Sequence, residues 1–293
     1  MSVNPEILYR NSHRNVSQVS MDFKRNLHST INWNARIIGI KGPKGVGKST
    51  LLKQHIKEAF PDDSKVLYVS LDNMWFANNS LADLVEYHYT HGGTHLFLDE
   101  VHKYEHWQTY IKNIYDDYPT MNVVFTGSSM LKLNKGEGDL SRRVAMYTME
   151  GLSFREYLMF EKILHFDKLS LDDILKNHTQ IATAIADKIH ILPYFEQYCI
   201  YGYYPFYKED LEGFHSKLLE VAQQTIEVDI PSVDNVEYAT VQKLKKLLGI
   251  IALQVHFVPI MEDLYGQLET SREQGLKLLD LLEKSVRVNG RSG

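Results

Sequence analysis

The sequence predicts an α/β fold: a parallel five-stranded sheet with helices on both faces, followed by a helical region and a partial winged helix. Three observations carry that expectation. Residues 42–49 read Gly-Pro-Lys-Gly-Val-Gly-Lys-Ser, a complete G-x-x-x-x-G-K-[ST] loop. A short β-branched run enters the loop at residues 36–41, and residues 50–56 leave it with helical spacing. Short apolar runs then alternate with helix-like segments up to residue 149, and beyond Gly151 the strand signals stop.

Taken in order, residues 15–29 place Val16, Val19, Phe23 and Leu27 at helical spacing, which predicts an N-terminal helix beside the core. The run at 36–41 is the first strand. Residues 65–71 form the second, ending at Asp72, and residues 81–89 a helix. Residues 95–98 form the third strand, closing on Asp99-Glu100. Residues 105–118 read as a helix that Pro119 ends. Residues 122–126 form the fourth strand, followed by Gly127-Ser128-Ser129, and residues 144–149 the fifth. In such a sheet, ligands lie at the carboxyl ends of the strands.

Farther on, residues 154–163, 181–189 and 214–224 read as helices. The tyrosine-rich stretch 194–207 joining them is expected to be interior packing with hydroxyls at its edge, rather than a stacking platform for bases. Residues 241–253, 261–267 and 271–284 are three more helices. Residues 268–273 resemble the tight connection of a helix-turn-helix, with Ser271 as cap. This predicts a winged helix whose wing, due after residue 286, is truncated. The expected units are 1–151, 152–235 and 236–293.

Bulk properties narrow the function. The 293 residues are 44% hydrophobic and 24% charged, ordinary for a globular protein. A formal net charge of −5 excludes a global field for nucleic acid. Residues 1–50 nevertheless hold eight Lys/Arg against Glu6 and Asp22. Among them Arg10, Arg14, Lys24 and Arg25 read as a solvated helix face, the alternative being a nucleotide-side surface. The single cysteine, Cys199, excludes an internal disulfide and is expected to be a small buried apolar residue. The longest apolar stretch, residues 248–260, contains Gln254 and His256 and is too short to span a bilayer. With no signal-peptide pattern, the expected location is cytoplasmic, away from membranes.

The loop's chemistry is narrow. Gly42, Gly45 and Gly47 remove side chains where backbone N–H groups must turn onto phosphate oxygens. Pro43, Lys44, Val46 and Thr50 complete the nucleotide-binding stretch. Lys48 brings positive charge to the β- and γ-phosphates, the Ser49 hydroxyl suits Mg²⁺, and the following helix adds its dipole. Asp99 is placed to hold Mg²⁺ through water, and Glu100 to orient and deprotonate the attacking water. Ser128, or its neighbour Ser129, is either a γ-phosphate or water contact or a turn-forming residue. Arg142 and Arg143 are either a transition-state pair, acting in cis or from a neighbouring subunit, or an exposed basic pair.

Five stretches together resemble the prokaryotic AAA+-like P-loop ATPases of STAND and archaeal type: Gly-Pro-Lys-Gly-Val-Gly-Lys-Ser-Thr (42–50), Leu-Asp-Glu-Val-His-Lys (98–103), Phe-Thr-Gly-Ser-Ser (125–129), Asp-Leu-Ser-Arg-Arg (139–143) and Leu-Ser-Phe-Arg-Glu-Tyr (152–157). The resemblance covers most of residues 36–157 and weakens beyond. It implies a P-loop NTPase sheet of order 5-1-4-3-2, ATP with Mg²⁺, and Glu100 as base. It further implies that Ser128 is the polar sensor, where AAA+ proteins commonly carry asparagine, and that the arginine pair acts on the γ-phosphate.

The expected function is therefore a Mg-dependent ATPase whose cycle moves the helical and winged-helix parts toward a partner. Alternatives are a GTP switch, loosely supported by Asn134-Lys135-Gly136-Glu137, a nucleotide kinase lacking a recognisable lid, and a nucleotide-switched DNA-binding regulator. Residues 236–293 hold eight Lys/Arg and seven Asp/Glu. With no concentrated basic face, a protein partner fits there as well as DNA. An arginine acting in trans would require an oligomer.

Overall fold

The computed structural model describes residues 5–60, 65–127, 140–166, 168–231, 236–253 and 259–286. Five strands, β1 (Ile37–Lys41), β2 (Val66–Ser70), β3 (His95–Asp99), β4 (Asn122–Gly127) and β5 (Ala145–Thr148), form one sheet of order β2-β3-β4-β1-β5. Every neighbouring pair is parallel. The expected order 5-1-4-3-2 is thus met, read from the opposite edge.

Successive side chains leave a strand on opposite faces, and here both faces are apolar, as a sheet covered twice requires. Ile37, Leu67, Val69, Leu96, Leu98, Val123 and Phe125 point into one layer. There they meet α3 (Leu81–Thr90) and α4 (Trp107–Asp117) through Leu84, Val85, Ile111 and Ile114. Ile38, Ile40, Tyr68, Phe97 and Val124 point into the other, against Leu51, Leu52 and Ile56 of α2 (Lys48–Ala59). Gly39 sits mid-strand between β4 and β5, where a Cβ would collide with the Met146 sulfur and the Phe125 ring.

The N-terminal helix is not where the periodicity put it. It spans α1 (Glu6–Ser17), burying Leu8 and Ser12, and only a short 3₁₀ turn forms at Asn26–Ser29. Residues between them give their carbonyls to α2 instead of to a helix. Gln54 Nε2 donates to Ser20 O and Phe23 O, each at 2.8 Å, and Lys57 Nζ donates to Val19 O and also to Ser17 O at the end of α1. Val16 and Leu27 still pack beside the core.

Beyond the sheet come α5 (Phe154–Phe160), α6 (Leu171–Ala186), α7 (Ile191–Gln197) and α8 (Phe214–Gln224). The helix expected at 181–189 is the second half of the longer α6, which starts in a Ser170–Asp173 capping box. Tyr157, Leu158, Tyr207 and Phe214 are buried together, with Tyr194, Tyr198, Tyr201 and Tyr204 packed around them. The tyrosine stretch is packing, as expected. Cys199 departs from expectation: it is exposed, because Tyr198 turns inward and its neighbour on the helical turn faces out.

The last three helices, α9 (Tyr238–Leu253), α10 (Met261–Gln267) and α11 (Arg272–Val286), share an apolar core of Leu244, Leu247, Leu264, Leu268, Leu278 and Leu281. Ser271 Oγ accepts from the Gln274 N–H at 3.3 Å, the cap expected there. The wing would fall in residues 287–293, outside the described residues. Among the described residues, no helix is long and apolar enough to cross a membrane.

Candidate nucleotide site

β1 runs directly into the glycine loop, and the backbone there is shaped for glycine. A Cβ on Gly42 would strike the Met149 carbonyl oxygen. Gly45 and Gly47 have φ of 85° and 98°, in the left-handed region. Gly47 caps α2, whose first turn has no carbonyl of its own helix to accept its N–H groups. That leaves an N-terminus suited to an anion at the mouth of the loop.

Lys48 is 5% exposed, and its Nζ donates to Gly42 O and Pro43 O, each at 2.9 Å. Burial lowers its pKa, while the carboxylates of Glu100, Asp99 and Asp229 oppose that shift. Asp99, 3% exposed at the end of β3, is held on both oxygens. The Thr126 hydroxyl donates to Oδ1, and the Tyr68 hydroxyl donates to Oδ2 at 2.7 Å. Thr126 Oγ1 in turn accepts from the Glu100 N–H at 3.1 Å. Glu100 adopts φ 55°, a conformation unusual for a side-chain-bearing residue and frequent at functional sites. Burial raises its pKa against the opposing charge of Lys48, and its Oε2 lies 3.4 Å from His102 Nε2.

These groups open on one cleft of about 980 Å³, lined by Lys44 to Thr50, Tyr68, Asp99 and Glu100. Its other wall carries Phe160, Phe206, Gln224 and Asp229 from the helical region. Among the described residues, no group of three or more His, Cys, Asp or Glu is placed to hold a metal ion by itself. The Ser49 hydroxyl and Asp99 carboxylate are hard oxygen donors, and a carboxylate accepting one hydroxyl per oxygen keeps acceptor capacity. That set fits Mg²⁺ carried mainly by phosphates and water.

The structure thus brings together Lys44, Gly45, Val46, Gly47, Lys48, Ser49, Thr50, Asp99 and Glu100 in one cleft, while Gly42 and Pro43 supply carbonyls to Lys48. Ser128, Ser129 and residues 134–137 lie outside the described residues. Arg142 and Arg143 correct the cis reading. Ala145 pairs with Ile38, so the two arginines lie at the amino ends of the strands, opposite the loop. Arg143 Nη2 is 3.2 Å from Asp116 Oδ1, and its guanidinium lies over the Tyr115 ring.

Arg25 corrects another expectation: it is no solvated helix face but a nearly buried side chain on the lining of the same cleft. It pairs with Glu156 and donates to Val46 O at 2.8 Å, behind the loop. Tyr68, Thr126 and Asp229 were not singled out from the sequence. Tyr68 was visible as the hydroxyl-bearing residue of an apolar strand, and Thr126 as the polar end of another. Nothing local marks Asp229.

Residues 34–158 match the family described as the AAA domain. The match runs from just before β1 into α5. A relative, an uncharacterised protein of Methanocaldococcus jannaschii, is 29% identical over 266 residues, covering 86% of this chain and 56% of that protein. The chain therefore spans little more than half of that relative's length. AMPPCP-bound DnaA from Aquifex aeolicus is 16% identical, with 94% of this chain and 88% of that chain covered at a TM-score of 0.33. The Aeropyrum pernix ORC1 protein in complex with DNA is 12% identical, with 97% and 84% covered, also at 0.33.

Proposed function

We propose that this chain is a Mg-dependent ATPase of the AAA+-like kind, whose nucleotide cycle moves its helical parts relative to the sheet. The observation that carries the reading is the meeting of Lys48, at the mouth of a glycine-turned loop, with the Asp99-Glu100 pair in one cleft. Backbone N–H groups of residues 44–49 and Lys48 bind the β- and γ-phosphates. Ser49 and Asp99 hold the metal ion, which when bound neutralises charge on the phosphate oxygens. Glu100, short of solvent and near a lysine, takes the proton of the attacking water. Positioning and charge stabilisation carry the reaction, without a covalent intermediate on the protein.

In this reading residues 1–151 are the catalytic unit, 152–235 a helical unit and 236–293 a winged-helix-type unit facing a protein or DNA partner. The position of Arg142 and Arg143 far from the cleft favours action on a neighbouring subunit's nucleotide over action on their own. The test is titration of the chain with Mg-ATP and Mg-GTP, with phosphate release measured alongside. Tight Mg-ATP binding lost in Lys48→Ala, with turnover in the parent chain, is the expected result. A chain that binds no magnesium nucleotide sinks the proposal.

A further inference from the structure

The lysines at the phosphate end of the cleft already face a carboxylate from the helical region. Asp229 is 8% exposed and lies across from the glycine loop, 3.9 Å from Lys103 Nζ, with Lys44 and Lys48 also within its electrostatic reach. Burial raises its pKa, against the pull of those three lysines. One helical turn earlier, the Gln224 side-chain oxygen accepts from Lys44 Nζ within the loop itself. Both contacts sit at the end of α8, on the segment that continues as Thr225–Asp229. On that segment Ile226 and Ile230, 3% and 0% exposed, are built into the apolar core of α9 to α11. The C-terminal bundle is therefore fastened to this end of the cleft by a carboxylate on Lys103 and an amide on the loop's Lys44.

We propose that Asp229 is a built-in counter-anion: it occupies the lysine-lined end of the cleft, and a nucleotide's terminal phosphate must displace it, releasing the C-terminal bundle from the loop. The reason is charge. A triphosphate brings several negative charges to the lysines that Asp229 now balances, and like charges at such spacing repel. Binding and release are then two sides of one linkage. The bundle lowers nucleotide affinity, and nucleotide loosens the bundle by the same factor. A diphosphate, lacking the group that reaches farthest, disturbs Asp229 less. The inference rests on the cleft being a nucleotide site and adds to it the means by which the terminal phosphate is sensed.

The experiment uses the full chain, with Mg-ADP and the non-hydrolysable Mg-AMPPCP as probes in calorimetric titrations. Asp229→Asn keeps size and removes charge, and it should tighten Mg-AMPPCP about tenfold while changing Mg-ADP by about threefold or less. Asp229→Glu should restore the parent affinity. Hydrogen exchange of residues 225–231 gives a readout independent of affinity. Mg-AMPPCP should accelerate it in the parent chain, and Asp229→Asn should show the fast exchange without nucleotide. Equal affinities of parent and Asp229→Asn, or weaker binding by the variant, overturn the inference while leaving the nucleotide site intact. Binding by neither chain overturns both.

Discussion

Arg25 and Glu156, 131 residues apart in sequence, form an ion pair at 3.0 Å with side chains 9% and 7% exposed. The same guanidinium donates to the carbonyls of Val46, Glu150 and Gly151, and Glu156 also accepts from the Asn26 and Ser153 N–H groups. One buried pair thereby joins the phosphate loop, the exit from β5 and the cap of α5. Loop shape and helical-region placement are set by the same two side chains.

Removing one member leaves the other charge buried and alone. Arg25→Ala should cost about 3–5 kcal/mol of stability, more than loss of a surface pair would. Burial works to raise the Glu156 pKa, but Arg25 and the backbone donors outweigh it, and the net shift is downward from the ordinary 4.5. A depressed carboxyl contributes stability that is complete above 4.5 and is lost as pH falls through the folded value. Urea unfolding of the parent chain and Glu156→Gln at neutral and acid pH tests this. The gap between them should narrow on acidification; a gap that stays constant with pH would refute the assignment.

Asp99 owes its orientation to two hydroxyls, so Tyr68→Phe and Thr126→Val each strip one donor without changing volume much. Partners of a metal-side carboxylate typically matter by about 10- to 100-fold in metal affinity or activity. The expected outcome is a rise of that order in the Mg²⁺ concentration needed for turnover, with metal-free nucleotide binding little changed. Unaltered Mg²⁺ dependence in both variants would show that the clamp is structural only.

Lys48 and Glu100 should separate binding from chemistry. Lys48→Ala is expected to weaken Mg-ATP binding. Glu100→Gln should bind normally yet turn over about 10²- to 10⁴-fold more slowly, the range of a lost general base. Normal hydrolysis by Glu100→Gln would exclude the base assignment.

Much of this was legible because local chemistry dictated it. The glycine loop needs φ values that Gly45 and Gly47 supply, and the doubly buried strands read as apolar runs. The stretch before the 3₁₀ turn at Asn26–Ser29 carries helical spacing yet folds irregularly, because Gln54 and Lys57 satisfy the carbonyls of Ser20, Phe23 and Val19 from far along the chain. Arg25, Tyr68 and Asp229 acquire their roles only through partners far along the chain, such as Glu156 for Arg25, Asp99 for Tyr68 and Lys103 for Asp229, and no periodicity encodes that. Arg142 and Arg143 show the converse. Their place before β5 is legible in the sequence, but strand direction carries them to the far end of the sheet.

His55 supplies a pH test independent of the nucleotide. Its ring stacks on Trp33 with centroids 3.6 Å apart and planes 7° from parallel. Burial pushes its pKa from 6.5 down to about 4; His28 and His95 add to the shift, and Glu58 opposes it. The folded chain therefore refuses a proton that the unfolded chain accepts between those two values. Stability linked to His55 is intact above pH 6.5, declines as pH falls toward about 4, and levels off below. His55→Phe keeps an aromatic ring against Trp33 and removes the titration. Denaturant unfolding at pH 7, 6 and 5 should show a shallower decline in this variant than in the parent chain. Identical slopes would mean that the acid sensitivity of this region resides elsewhere.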